Sequence, residues 1–300
     1  MSTARTLRRG AWRLRALVPL AAFVLVLLVA GTAARGDSTC DQYGMTAVAG
    51  GRYLVQNNEW NSSSPQCVVT TGATGWTVKT ANQNAGTDGP PASYPSIFRG
   101  CHWGRCTTGS GLPVQVGKLG PTSSSWTTSP PPSGVYDTAY DVWFNKSPTT
   151  SGQPDGTELM IWLNRSGPVQ PAGSMVGTAT IGGVAWQVWQ TRMNGWNYVA
   201  YVGAQPTASV SALDLKAFTQ DAVGRGSIDP SWYLIDVEAG FEIWRGGQGL
   251  TTQSFSFGTP TAYHRRRVRR RAGRAPRRPA ARARAARRAP GPGRGAAGAP

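Results

Sequence analysis

The chain predicts an all-β fold, a sandwich of strands with one helix packed on an outer face. Three observations carry this expectation. Short runs of β-branched and aromatic residues recur between clusters of Gly, Pro, Ser and Asn, a single segment has helical spacing, and nothing repeats at a fixed period. In chain order the strand runs are 52–56, 140–144, 158–164, 184–190, 198–202, 232–237 and 241–244. Asn194 and Gly195 fall between two of them and predict a type I′ hairpin turn, because Asn and Gly tolerate positive φ at both central positions. The helix is expected over 209–223. There Val210, Leu213, Ala217, Phe218 and Asp221 recur at helical spacing, with serines at the start and Gly224 and Gly226 at the end.

The net charge of +17 and a pI near 10.7 point first to a nucleic-acid partner, but the charge is misplaced for that. Residues 1–36 hold six arginines and residues 261–300 hold fourteen, and neither stretch has an acidic residue. Residues 37–260 carry eleven basic and fourteen acidic side chains, a net charge of −3. All four cysteines and eleven of the twelve tryptophans lie in this middle part, which is long enough for one sizeable β domain or two small ones. Nucleic acid is therefore not the expected partner.

The ends are set aside before the fold is argued. Residues 1–36 read as a signal peptide: Arg5, Arg8, Arg9, Arg13 and Arg15 precede an apolar run over 16–30, and small residues follow, with cleavage expected near Ala33 or Ala34. That run is broken by Pro19 and falls short of the roughly 20 residues a membrane span needs. A secreted protein with no stable membrane association is expected, with its cysteines in disulfides. Residues 259–300 are expected to be a disordered tail, since 35 of the 37 residues from His264 onwards are Arg, Ala, Gly or Pro. All four have GC-rich codons, so the tail has the composition of an out-of-frame reading. The folded β domain is placed at 37–258.

The chemistry follows by elimination. Four cysteines allow three pairings. Cys101 and Cys106, in CHWGRC, would close a small loop and leave Cys40 to pair with Cys67. No CxxC pair is present and His102 is the one histidine of the domain, so neither a metal centre nor a Ser-His-Asp triad is expected. No phosphate-binding glycine loop occurs. No cofactor is implied, and a monomer is expected. What stands out is carboxylates set among tryptophans. Strand alternation puts Glu158, Met160, Trp162 and Asn164 on one face and turns Leu159, Ile161 and Leu163 to the core. Asp141 shares a face with Trp143 and Asn145, and Glu242 with Trp244. Indoles beside carboxylates suit sugar rings, whose C–H faces stack while their hydroxyls need polar partners. Glycoside cleavage uses two carboxyl groups. Of the four glutamates, Glu59 alternates away from Asn58 and Trp60 and is expected to face solvent, whereas Glu238 and Glu242 share a parity that does not separate them.

Six segments then resemble glycoside hydrolase family 12, most closely its secreted actinobacterial endoglucanases. They are NNEWN at 57–61, SYPSIFRGCHWGRC at 93–106, AYDVWFN at 139–145, TELMIWLNRSGPVQPAG at 157–173, DLKAF at 214–218 and WYLIDVEAGFEIWRGG at 232–247. The resemblance implies a concanavalin-like β-jelly roll of two curved antiparallel sheets, with a concave cleft for a β-1,4-glucan and the helix on the convex face. It implies the pairings Cys40–Cys67 and Cys101–Cys106. It marks Glu158 as nucleophile and Glu242, rather than Glu238, as general acid/base of a retaining hydrolase, their carboxyls about 5–5.5 Å apart. It makes Asp141 a hydrogen-bond partner of the nucleophile, Asn58 and Trp60 cleft residues on the glycone side, and Met160 and Trp162 the floor. Cellulose, mixed-linkage glucan and xyloglucan share the implied backbone, and a non-catalytic lectin-like sandwich is the alternative. Many such relatives continue through a Gly/Pro/Thr linker into a cellulose-binding module. Here the Arg/Ala tail stands in that place.

Overall fold

Strand alternation along the chain sorts its side chains onto two sheets packed face to face, seen in a computed structural model that describes residues 36–131 and 133–258. The expected signal peptide and tail lie outside the described residues, apart from Gly36. The larger sheet runs in the order Ser174–Ile181, Val184–Arg192, Asn197–Gly203, Thr157–Ser166, Val135–Asn145, Tyr233–Gly240, Ser96–His102, Tyr53–Gln56, Met45–Val48. The smaller runs Ser38–Thr39, Cys67–Thr71, Gly75–Thr80, Thr251–Gly258, Ser123–Ser129, Ser209–Asp214. Val142, Phe144, Leu159, Ile161 and Val237 of the larger sheet meet Trp76, Trp126, Phe255 and Phe257 of the smaller in one dry core. Trp126 packs edge-on against Tyr140 at 5.2 Å, and its indole N–H donates to Thr252 Oγ1 at 3.0 Å, so this buried polar atom is satisfied.

The larger sheet is covered on both sides. Ala139, Met160, Trp162, Tyr198, Ala200 and Trp244 form a second apolar cluster on the face away from the core. Double burial leaves the Val135–Asn145 strand buried along nearly its whole length, its two aspartates included. Pairing is antiparallel with one exception: Thr157–Ser166 and Asn197–Gly203 run parallel, because the Ser174–Ile181/Val184–Arg192 hairpin serves as the crossover between them.

The all-β sandwich with one helix stands as the sequence predicts, with two local differences. The helix is shorter, Leu215–Gly224, and Ser209–Asp214 is instead an edge strand paired with Ser123–Ser129. Asp214 sets the start, its side chain accepting from the Ala217 N–H at 3.1 Å as an N-cap. From there Leu215, Phe218 and Ala222 face the core, with Phe218 edge-on to Trp186 at 4.9 Å. The second difference is the Asn194-Gly195 turn. It does join two strands, but only Gly195 has positive φ (120°), so it is not type I′. Consecutive positive φ angles fall instead on Gly182 (61°) and Gly183 (78°), at the tip of the hairpin between Ser174–Ile181 and Val184–Arg192, and on Trp103 (43°) and Gly104 (84°), at the tip of the hairpin between Ser96–His102 and Arg105–Cys106. The disulfides are Cys40–Cys67 and Cys101–Cys106, the second bridging directly opposed residues of that hairpin. Among the described residues no helix is long and apolar enough to cross a membrane.

Candidate active site

The outer face of the larger sheet carries a cleft of about 1310 Å³, and it gathers residues far apart in sequence. Asn58, Trp60, Asp141, Glu158, Met160, Trp162 and Glu242 all line it, together with Trp103, Trp143, Trp196 and Trp244. Met160 and Trp162 lie almost fully buried in the floor, whereas Trp60 (44% exposed) and Trp103 (40%) stand at the surface as open indole faces.

Register explains the placement of the carboxyls. Asp141 lies on the central Val135–Asn145 strand, opposite Met160 on one side and Glu238 on the other. Glu158 comes from the strand on the first side. Glu242 comes from the other side, in the two-residue break between Tyr233–Gly240 and Ile243–Gly247. Gly240 permits that break: a Cβ there would sit 2.4 Å from the Pro95 carbonyl oxygen. The Asp137 N–H donates to the Glu242 carbonyl at 3.0 Å, and the Glu242 N–H donates to Asp137 Oδ1 at 3.1 Å, which fixes Glu242 against the central strand.

The carboxyls differ in their partners. Glu158 Oε2 accepts from the Trp196 indole N–H at 2.7 Å. Burial pushes Glu158 up to about 8, the Trp196 donor opposes this, and Glu242 and Glu238 add to the rise. Asp141 Oδ2 accepts from Trp143 Nε1 at 2.8 Å, and its buried Oδ1 has no partner. The expected hydrogen bond between Asp141 and Glu158 is not formed among the described residues, since an indole takes one oxygen of each. They interact by charge instead. Burial, then Glu158, Glu238 and Glu242, hold Asp141 well above the carboxylate range. Burial, then Asp137, likewise raises Glu242. Glu158 is thus the cleft glutamate with a donor that favours its anion, whereas burial and Asp137 both favour the protonated form of Glu242.

Glu238 does not reach the cleft. It is wholly buried, with Oε2 accepting from Gln56 Nε2 and Ser96 Oγ, each at 2.7 Å, and Oε1 2.6 Å from His102 Nδ1. Burial would raise its pKa, but His102 and these donors outweigh it and hold the carboxyl below its usual value. His102, Asp236 and Glu238 have donor atoms within 4.8 Å of one another, a set that could take a cation. The direct His102–Glu238 contact satisfies two of the three internally, whereas both oxygens of the buried Asp236 have no hydrogen-bond partner among the described residues. Glu59 corrects an expectation: it is 5% exposed and accepts from Gln83 Nε2 at 2.8 Å. Asn58 has φ 39°, which breaks the alternation that placed Glu59 in solvent.

A sandwich with one face hollowed into a cleft of indoles and carboxyls is the architecture of a glycan-cleaving enzyme. Comparison with known proteins narrows this. The model of glycosyl hydrolase family 12 matches residues 51–259. The chain is 37% identical over 148 residues to a probable cellulase, Cel12b, of Mycobacterium tuberculosis, covering 49% of this chain and 97% of that one. It is 30% identical over 264 residues to a probable xyloglucan-specific endo-beta-1,4-glucanase A of Aspergillus terreus, covering 81% and 96%. Endoglucanase cel12A from Rhodothermus marinus superposes with a TM-score of 0.71 at 45% identity, covering 74% of this chain and 97% of that one. The chain belongs to glycosyl hydrolase family 12 and is a glycoside hydrolase.

Proposed function

We propose that the protein cleaves internal β-1,4-glucosidic bonds of cellulose or a related β-glucan with retention, Glu158 acting as nucleophile and Glu242 as general acid/base. The observation that carries this is the placement of Glu158 and Glu242 on opposite sides of the Asp141 strand in one indole-lined cleft. A glucan chain along the cleft meets Trp60 and Trp103, whose exposed faces suit stacking against pyranose rings. Glu158 attacks the anomeric carbon through its carboxylate while Glu242 gives its proton to the departing glycosidic oxygen. The Trp196 N–H stabilises the Glu158 anion beforehand, and Asp141, kept neutral, adds no opposing charge. Once the glycosyl ester forms, the negative charge on Glu158 is gone. Glu242, now ionised, takes a proton from the water that releases the sugar.

The test is Glu158→Ala. Turnover should vanish while oligosaccharide binding persists, and wild-type-like hydrolysis would overturn the assignment. Proton NMR of the first product should show the β anomer, whereas an initial α product would mean inversion by a different pair. A xyloglucan specialist is the second reading, supported by the Aspergillus terreus relative. Initial rates on cellulose, mixed-linkage glucan and xyloglucan separate the two. We also propose that the enzyme works outside the cell, a reading supported by its two disulfides.

A further inference from the structure

We propose that Asp137 is a positioning residue for the acid/base: its carboxyl and that of Glu242 form a proton-sharing pair that governs when Glu242 can act. This rests on the role proposed for Glu242 and deepens it. Asp137 is wholly buried on the central strand, four residues before Asp141. Two hydrogen bonds join it to the Glu242 backbone, and they use the Asp137 N–H and Oδ1 only. Its second oxygen, Oδ2, is buried with no partner. An orphaned carboxylate oxygen at such depth is costly. The Glu242 side chain interacts with this carboxyl and can satisfy it, as a hydrogen-bond partner, once either carries a proton.

Nothing else nearby supplies compensating charge. Asp141 faces Asp137 along the same strand and is itself held neutral. The Tyr94 hydroxyl donates to the Ala139 carbonyl and that of Tyr198 to Met160 Sδ, and burial among the carboxyls keeps both phenols protonated. Arg165 stands opposite Asp137 in register, but its guanidinium donates to the Val169 carbonyl. Arg245, opposite Val135, donates to the Ala85 carbonyl. Neither forms an ion pair with Asp137 among the described residues. Burial raises Asp137 to about 7, so in acid solution the pair carries two protons and it gives up the first near neutrality.

The proton balance over one turnover then closes. Glu242 loses its proton to the glycosidic oxygen, and the Asp137 proton, which stays on the pair, hydrogen-bonds the new carboxylate. In the second half-reaction water returns a proton to Glu242, so Asp137 ends as it began. Above the Asp137 pKa the remaining proton sits on Glu242 beside an anion, which keeps that proton in place to higher pH.

Asp137→Asn is the decisive variant. Its amide oxygen can still accept from the Glu242 N–H, but it cannot ionise or share a proton. The alkaline limb of kcat/KM on soluble glucan should move to lower pH by about 1 unit, with the maximal rate within about fivefold of wild type. A limb that is unmoved, or moves to higher pH, overturns the proposal. Should the variant not fold, the aspartate carboxyls of wild type and Glu242→Gln, labelled with ¹³C, give the same answer by NMR. The aspartate that titrates near 7 should shift its midpoint by about half a unit or more when Glu242 is replaced, and an unchanged midpoint overturns the pair. Glu242→Gln also tests the role beneath it: hydrolysis of the polymer should collapse while that of an activated aryl glycoside, whose leaving group needs no proton, is largely spared. Equal retention of both would remove Glu242 as the acid, a failure distinct from an unmoved limb in Asp137→Asn.

Discussion

A single indole decides how the proposed nucleophile is held. Trp196 donates to Glu158 Oε2 at 2.7 Å, a charge-assisted bond in a cleft where burial and neighbouring carboxylates all oppose ionisation. Trp196→Phe keeps an aromatic ring and removes the donor. The acidic limb of the pH–rate profile should rise by about 1 unit, the size of one hydrogen bond to a charged group, and kcat at acid pH should fall accordingly. A limb that stays in place would mean another group stabilises the anion. Asp141 gives a second residue-scale test. If it works in its neutral form, Asp141→Asn, which still accepts from Trp143, should retain far more activity than Asp141→Ala. Equal losses would argue that Asp141 acts as a charge.

At the scale of elements, the Ser96–His102/Arg105–Cys106 hairpin holds Trp103 over the cleft, with the Cys101–Cys106 bridge closing a turn in which a bulky residue has positive φ. The proposed catalytic carboxyls come from other strands. Replacing both cysteines by serine should therefore raise KM for long glucans several-fold and leave kcat on a short activated glycoside nearly unchanged. A matching loss of kcat would mean the hairpin supports the catalytic strands. The same elements show what was legible in the sequence. Period-2 alternation placed Glu158, Met160 and Trp162 on one face and Leu159, Ile161 and Leu163 in the core, because strand geometry dictates it locally. The positive-φ turn at Trp103 was not legible, since Trp is a poor residue for that conformation, whereas the one at Gly182-Gly183 carries a glycine-pair signal that was passed over for Asn194-Gly195. Trp196 was missed for a tertiary reason. Only the parallel pairing of Thr157 with Asn197 brings the end of that hairpin beside Glu158, and no local pattern encodes a crossover. Glu238 and Glu242 share a parity, and only the break after Gly240 sends one into the cleft and the other toward His102.

For the whole molecule, the charge of +17 resides in the terminal segments, around a domain with a net charge of −3. Removing residues 261–300 from a chain already cleaved after residue 36 should bring the isoelectric point below neutrality and leave hydrolysis of soluble glucan unchanged, and a loss of activity would give the tail a role in catalysis. The domain's own electrostatics set how its stability depends on pH. Burial raises Glu158 to about 8 and Asp137 to about 7, from unfolded values near 4.5 and 3.8. Between those limits the native state binds more protons than the unfolded chain, so unfolding free energy falls as pH rises. This contribution is complete below about pH 4 and is lost as pH climbs through 7 to 8. Glu238 acts in the opposite sense: its lowered carboxyl adds stability above the unfolded pKa and loses it only in stronger acid. The thermal midpoint of the ligand-free enzyme should therefore decline between about pH 5 and pH 8, and Glu158→Gln, which cannot ionise, should flatten that decline. A midpoint that rises across this window would mean the cleft carboxyls are ionised at little cost, and the basis for a protonated Glu242 would go with it.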